Sequence, residues 1–303
     1  MRIRPGGLED AAAINQAGLR INTRVRPKVM MVAEDEDGSI LGFAYRFRSQ
    51  MHPTRYWATV RVREDARRKG LGTLLLAEIA KSRENPFPFY IRVREDNPAL
   101  EWARTLGGKV FQENPPMEIP LNDVANLEWL RQLPDAPEGV QIVSAAELDH
   151  ETVLNAFLDT YRWVHEDWSA PASREIVESV YGADLHDDLD RDISSFAVRG
   201  LGTPEQEVLA GIYTFPESST ALDAVGETVA RDTPDADQIM AAVLKRTARA
   251  ATEKNYEVLD LDGYASDIHL EPLVRSAPTV NGTALVWMEY DAPAEDPQVD
   301  AGL

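Results

Sequence analysis

The chain has 303 residues, 44% of them apolar and 27% charged, with a net charge of −20 and no cysteine. That length accommodates two ordinary cores, and the composition is that of a globular protein without a run near the roughly 20 apolar residues that cross a bilayer. The missing cysteine excludes disulfides, thiolate metal sites and cysteine nucleophiles, and the negative charge argues against general nucleic-acid binding.

In chain order, Ile3 and Arg4 read as a short strand and residues 10–19, rich in alanine, as a helix. Residues 30–34 and 40–47, apolar around Asp35-Glu36-Asp37-Gly38, read as a β-hairpin. Residues 56–62 are β-branched and aromatic, hence a strand. Leu71, Leu74, Leu75 and Ile79 fall at helical spacing, and residues 87–93 form the next strand. Asn97-Pro98 opens a helix that Gly107-Gly108 stops. Residues 110–111 and 117–121 read as a closing strand pair.

After the Pro- and acid-rich stretch at 133–139 the order starts again. Strand 141–143 and helix 145–158 echo the beginning; 196–198 and 208–215 echo the hairpin. Strand 222–230, helix 239–251 and strand 258–261 follow, and 284–290 echoes the segment around Met117. The expected architecture is α+β, with two tandem copies of one unit: residues 1–125, a linker at 126–139, a second copy at 140–292 and a disordered tail at 293–303. Charge divides along the same line. Residues 1–125 hold 20 Lys+Arg against 16 Asp+Glu, and residues 126–303 hold 11 against 35. The first half therefore suits an anionic ligand, whereas the acidity of the second serves solubility or attracts cations.

Between strand 56–62 and the helix beginning at Leu71 runs Arg67-Arg68-Lys69-Gly70-Leu71-Gly72. Glycines let a backbone approach its ligand, successive N–H groups point outward, and the helix dipole favours negative charge. Three cations beside them suit a pyrophosphate. The loop lacks the Gly-Lys-Ser/Thr end of a P-loop and the third glycine of a dinucleotide fold. It resembles the Arg/Gln-x-x-Gly-x-Gly/Ala signature of GNAT acyltransferases. Val62-Arg63-Glu64-Asp65-Ala66-Arg67 matches the family's approach to the loop except for a missing proline, and Asp96-Asn97 with Leu106-Gly107 matches its second landmark except for Gly108 in place of a phenylalanine.

The resemblance implies two tandem GNAT-like domains, each a mixed, mostly antiparallel twisted sheet flanked by helices. It also implies acetyl-CoA as acyl donor and a small-molecule primary amine as acceptor, joined by direct attack without metal or covalent intermediate. Val60, Arg61 and Val62 would pair through their backbone with the pantetheine arm. Backbone amides of Arg68, Lys69, Gly70, Leu71, Gly72 and Thr73, beside Arg67, would hold the pyrophosphate, and Asn97 completes the cofactor set. The Val62 amide would polarise the thioester carbonyl.

The chain departs from the family at the catalytic groups. The usual helix tyrosine is replaced by Ala103, and the strand before the loop has no carboxylate. His52, on a surface loop, and Glu34 are the candidate bases. Tyr161, His165, Glu166, Asp167 and Trp168 read either as a packing helix capped by charge or as a wall for a cationic substrate. In the second copy Val229 aligns with Val62, setting Pro234 at Arg67, Asp237 at Gly70 and Ile239 at Gly72. With three acids and no glycine, that loop is expected to take no coenzyme A. A non-catalytic acyl-CoA sensor or scaffold and a peptide or protein N-acetyltransferase are the alternatives. A cytoplasmic monomer or homodimer, acting on neither nucleic acid nor membrane, completes the expectation.

Overall fold

The computed structural model describes residues 1–23 and 27–293; the tail expected from 293 onward lies outside them from 294. In chain order the elements are β1 (Arg2–Pro5), α1 (Ala11–Gln16), β2 (Val29–Glu34), β3 (Ile40–Arg48), β4 (Tyr56–Val62), α2 (Leu71–Ala80), β5 (Phe89–Arg94), α3 (Ala99–Thr105), β6 (Lys109–Asn114), β7 (Glu118–Pro120) and α4 (Val124–Gln132). There follow β8 (Val140–Ser144), α5 (His150–Glu166), α6 (Arg174–Asp187), β9 (Ser195–Arg199), β10 (Glu207–Pro216), β11 (Ala221–Thr228), α7 (Ala236–Glu253), β12 (Val258–Leu261), α8 (Leu270–Arg275) and β13 (Leu285–Tyr290). The α+β class and the two mixed sheets agree with expectation.

The division of the chain does not follow the boundaries expected at 125 and 140. One compact unit comprises Met1–Phe111 with Val286–Leu303, the other Gln112–Leu285. The cause is an exchange of strands. The first sheet runs β1-β2-β3-β4-β5-β13-β6, so the last strand among the described residues sits beside β5, and the second runs β7-β12-β11-β10-β9-β8. The closing pair expected at 110–121 is thus split between two sheets. Pro115 and Pro116 stand between β6 and β7, and two successive residues that offer no N–H and favour extended backbone disfavour a tight hairpin there. The segment read as a linker also holds α4, whose first amides are capped by Asp123 Oδ1 at 2.8 and 3.0 Å from Ala125 N and Asn126 N.

In the first unit, β1 to β4 pair antiparallel and β5 joins β4 in parallel. Alternation sorts their side chains onto two faces. Tyr56 and Ala58 of β4, Phe89 and Ile91 of β5, and Val286, Met288 and Tyr290 of β13 pack with Leu71, Leu75, Leu76 and Ile79 of α2 and with Leu100 and Ala103 of α3. Each fully buried leucine or isoleucine contributes roughly 1.5–3 kcal/mol. On the other face Ile14 of α1 packs with Phe43, Tyr45, Phe47 and Trp57. Arg46, 1% exposed, donates from Nε to the Ile79 carbonyl at 2.8 Å and so ties the end of α2 to β3. In the second unit α7 lays Ile239, Val243, Leu244 and Ala248 against Ala210, Ile212, Leu222, Ala224, Leu259 and Leu261 of the sheet.

Candidate functional site

The two parallel strands of the first unit pair over only two couples, Tyr56–Phe89 and Trp57–Tyr90, and then part. On its other side β4 stays paired with β3 up to Gly42–Val62. Tyr56 N donates to Pro88 O at 2.9 Å and Arg63 N to Leu41 O at 2.8 Å. Because strand amides alternate in direction, Ala58, Val60 and Val62 turn their N–H and C=O groups toward the gap. Arg67 Nε, 3.0 Å away, fills the Val62 carbonyl. The remaining gap-facing groups of Val60 and Val62 lack a ladder partner, and an unpaired backbone edge is a site for another extended chain.

The gap leads into the basic loop. Arg68 (φ 63°) and Gly70 (φ 77°) both adopt left-handed backbone, and Gly70 caps α2. The turn thereby aims the first amides of α2 outward, where no residue of the helix can bond them. Gly72 has no packing reason to be glycine. A Cβ there would meet Val60 and Trp102 at 3.7 and 3.8 Å, ordinary contact. Gly42 differs, since its Cβ would stand 2.7 Å from the Arg61 carbonyl, so it is required for β3 and β4 to approach. Arg61, Arg67, Arg68 and Lys69 are exposed, and Arg63 is held by Asp65 at 2.7 Å. Thr73 lies in the first turn of α2. Asn97 Oδ1 accepts from Ala99 N at 2.9 Å and serves to start α3.

The candidate bases are placed otherwise than expected. His52 is 8% exposed, with the rings of Trp287 and Tyr90 edge-on at 5.5 and 5.8 Å. Burial, followed by the nearby Arg55 charge, lowers its pKa to about 4, far below the range in which an imidazole shuttles protons at neutral pH. The surface-loop reading fails because Tyr90 and Trp287 arrive from β5 and β13. Glu34 accepts from Arg4 Nε at 2.8 Å. Ala103 is fully buried, leaving no proton donor at that helix position. Trp102, passed over in the sequence, lies beside Gly72.

The second unit repeats this geometry with different contents. Val229 N donates to Leu209 O at 2.8 Å, as Arg63 N does to Leu41 O, so Thr228 corresponds to Val62 and Glu227 to Arg61. The alignment of Val229 with Val62 is off by one. β11 and β12 pair from Ala221–Val258 to Ala224–Leu261 and then part. The helix after the gap begins at a left-handed cap in both units, Gly70 in one and Asp235 (φ 59°) in the other. Counting from these caps, Asp237 stands where Gly72 does. The Glu227 carboxylate, 1% exposed, accepts from Thr228 N at 2.8 Å, Leu270 N at 3.0 Å and His269 N at 3.1 Å. His269 Nδ1 lies 2.9 Å from it. Trp163 Nε1 donates to Thr228 O at 2.8 Å. The amide that is open at Val62 is therefore closed at Thr228.

Within the second unit, Tyr161, His165 and Trp168 come together with Tyr264. His165 is 5% exposed, its ring centroid 3.9, 4.9 and 5.4 Å from those of Tyr161, Trp168 and Tyr264. Glu166 and Asp167 are exposed, and Asp167 pairs with Arg231 at 2.6 Å. The described residues hold no group of three or more His, Asp or Glu able to take a metal, and no helix among them is long and apolar enough to cross a membrane.

Residues 8–107 match the model of the acetyltransferase (GNAT) family. The fold is similar to that of a GCN5-related N-acetyltransferase from Sphaerobacter thermophilus, with TM-score 0.62 and 14% identity over 98% of each chain. A tandem GNAT protein from the clavulanic acid biosynthesis pathway is similar over 97% of this chain and 99% of its own, with TM-score 0.57 and 12% identity. A GCN5-related N-acetyltransferase from Kribbella flavida shares TM-score 0.52 and 14% identity over 95% of this chain and 70% of its own. No curated protein matches the sequence significantly.

Proposed function

We propose, since residues 8–107 match the acetyltransferase (GNAT) family, that the chain is a GNAT acetyltransferase whose first unit binds acetyl-CoA and acetylates the amino group of a small molecule. The observation that carries this reading is the unpaired edge of β4 running into the Arg67–Gly72 loop. Acetyl-CoA supplies an activated acyl group as its thioester. The free backbone groups of Val60 and Val62 bind the pantetheine arm as an added strand, and the amides from Arg68 to Thr73 bind the pyrophosphate. The Val62 N–H polarises the thioester carbonyl. The acceptor nitrogen attacks that carbon, and the C–S bond breaks with its electron pair on sulfur so that coenzyme A leaves as the thiolate. The nitrogen's proton passes to water, and neither metal nor covalent enzyme intermediate is required.

His52 and Glu34 have no part in this scheme, the first because it is buried and weakly basic, the second because Arg4 holds it. A missing general acid or base costs about 10²–10⁴ in rate, so slow turnover is expected. The second gap takes no cofactor: Asp235 and Asp237 replace the two loop glycines and repel a pyrophosphate, and Glu227 seals the strand edge.

The test is release of free thiol from acetyl-CoA with and without a panel of primary amines. Amine-dependent release supports the proposal. Tight binding of acetyl-CoA with no release across the panel sinks it and leaves the sensor reading.

A further inference from the structure

Beyond the gap, β4 and β5 continue side by side without pairing, and what they show on their outward face is specific. Val60 and Val62 of β4 and Val93 of β5 pack toward α2 and α3. By alternation Thr59, Arg61, Arg92 and Arg94 point the other way. Arg61 and Arg94 each stand four residues past the last paired couple, Trp57–Tyr90, so they flank the gap at one level. Both are exposed, and neither side chain makes an ion pair or hydrogen bond among the described residues. Arg92, half-buried between them and the aromatic cluster, holds its guanidinium 5.0 Å over the Trp287 ring.

We propose that Arg61 and Arg94 receive an anionic group, carboxylate or phosphate, on the acceptor, so that the substrate is an amine carrying its own acid. The inference rests on the reading of the gap as the acyl-donor site. With α2 and α3 covering the inner face, an acceptor reaches the thioester only from the face that carries the arginines. The exposed positive charges of Arg61 and Arg94 repel a purely cationic amine and attract an anionic group. Guanidinium groups match the geometry of carboxylate and phosphate and bind them through paired, charge-assisted hydrogen bonds. An acid anchored there holds the amino nitrogen over the gap. The C–N bond then forms at the carbonyl carbon, the C–S bond breaks with its electrons on sulfur, and the nitrogen loses one proton. Glu227, occupying Arg61's place in the sealed second gap, fits the same logic.

The experiment measures acetyl-CoA-dependent turnover of matched pairs: tyrosine against tyramine, phosphoethanolamine against ethanolamine, glucosamine 6-phosphate against glucosamine. The expected result is that at least one acidic member is used tenfold or more better in kcat/KM than its acid-free partner. In Arg94→Met the KM for that member rises about tenfold or more while the dissociation constant for acetyl-CoA, read by calorimetry, stays within twofold; Arg61→Met erodes the same preference. Comparison of the carboxylate and phosphate arms identifies the source of the anion. Preference for the acid-free partners, no turnover of any acidic member, or a loss confined to acetyl-CoA affinity in Arg94→Met overturns the proposal. Calorimetric binding of acetyl-CoA to the unaltered chain reports independently on the donor site, so failure of the acceptor assignment is separable from failure of that reading.

Discussion

The two gaps are one piece of backbone geometry with opposite contents. In each, a parallel strand pair separates after a few couples and a helix begins at a left-handed cap. At Val62 the strand amide is open, and the helix starts with glycine at its cap, Gly70, and again at Gly72. At Thr228 the amide, the carbonyl and the start of α8 are all satisfied from within, mainly by one buried carboxylate. Backbone topology therefore supplies the opening, while three or four side chains decide whether it is a binding site or part of a core.

That contrast can be broken most directly at the glycines. Gly72→Asp is expected to leave the fold intact, since a Cβ there meets only ordinary contacts, yet to weaken acetyl-CoA more than 100-fold by placing a carboxylate against its pyrophosphate. Calorimetry on the unaltered chain should show one acetyl-CoA per chain. Two equivalent sites, or an unaffected Gly72→Asp variant, would remove the distinction between the gaps.

A smaller effect sharpens it from the other side. Glu227→Ala leaves the buried amides of Thr228, His269 and Leu270 without their acceptor and should cost about 3 kcal/mol in urea unfolding. The corresponding change in the first unit, Arg61→Ala, removes an exposed side chain and should stay within about 0.5 kcal/mol. Equal losses would mean that the first gap is as much a structural element as the second.

The third prediction concerns pH. His52 has a pKa near 4 in the folded state against 6.5 as its ordinary value. The unfolded chain therefore binds the extra proton between those values, and stability is lost as pH falls from about 6.5 to about 4. The shift corresponds to about 3 kcal/mol. Urea unfolding of His52→Gln at pH 7.5 and pH 4.5 should show a correspondingly smaller decline than the parent. An unchanged decline would show that the imidazole is not buried in the neutral form.

What the sequence disclosed follows from how local each feature is. The basic loop was legible because its glycines, cations and flanking strand and helix are contiguous. So were α3, announced by Asn97-Pro98, and most of the other strands and helices in their chain order, α4, α6 and α8 excepted. α6 went unread because only Val177 and Leu185 of it are buried, too sparse a stripe to show periodicity. The second loop was misread by one residue at the strand and by two at the helix, because hydrogen-bond register rather than sequence similarity sets the correspondence. His52 looked like a solvated loop histidine since the rings that enclose it lie on strands distant in sequence. The outward arginines could have been found by counting alternate positions along β4 and β5, but only once the inner face was known.

The exchanged strands also impose a timetable on synthesis. β13 lies between β5 and β6, yet roughly 170 residues separate β6 from it along the chain. At about 5–20 residues per second, a nascent first sheet waits about ten to thirty seconds for its missing strand. Throughout that interval β5 has an unpaired edge, the kind of surface on which other chains add. The second sheet, by contrast, holds all its strands before residue 285 is reached. The half of the protein that emerges first is therefore the half completed last, and a ribosome stalled near the end of the message would release a chain whose loop is finished but whose sheet is not.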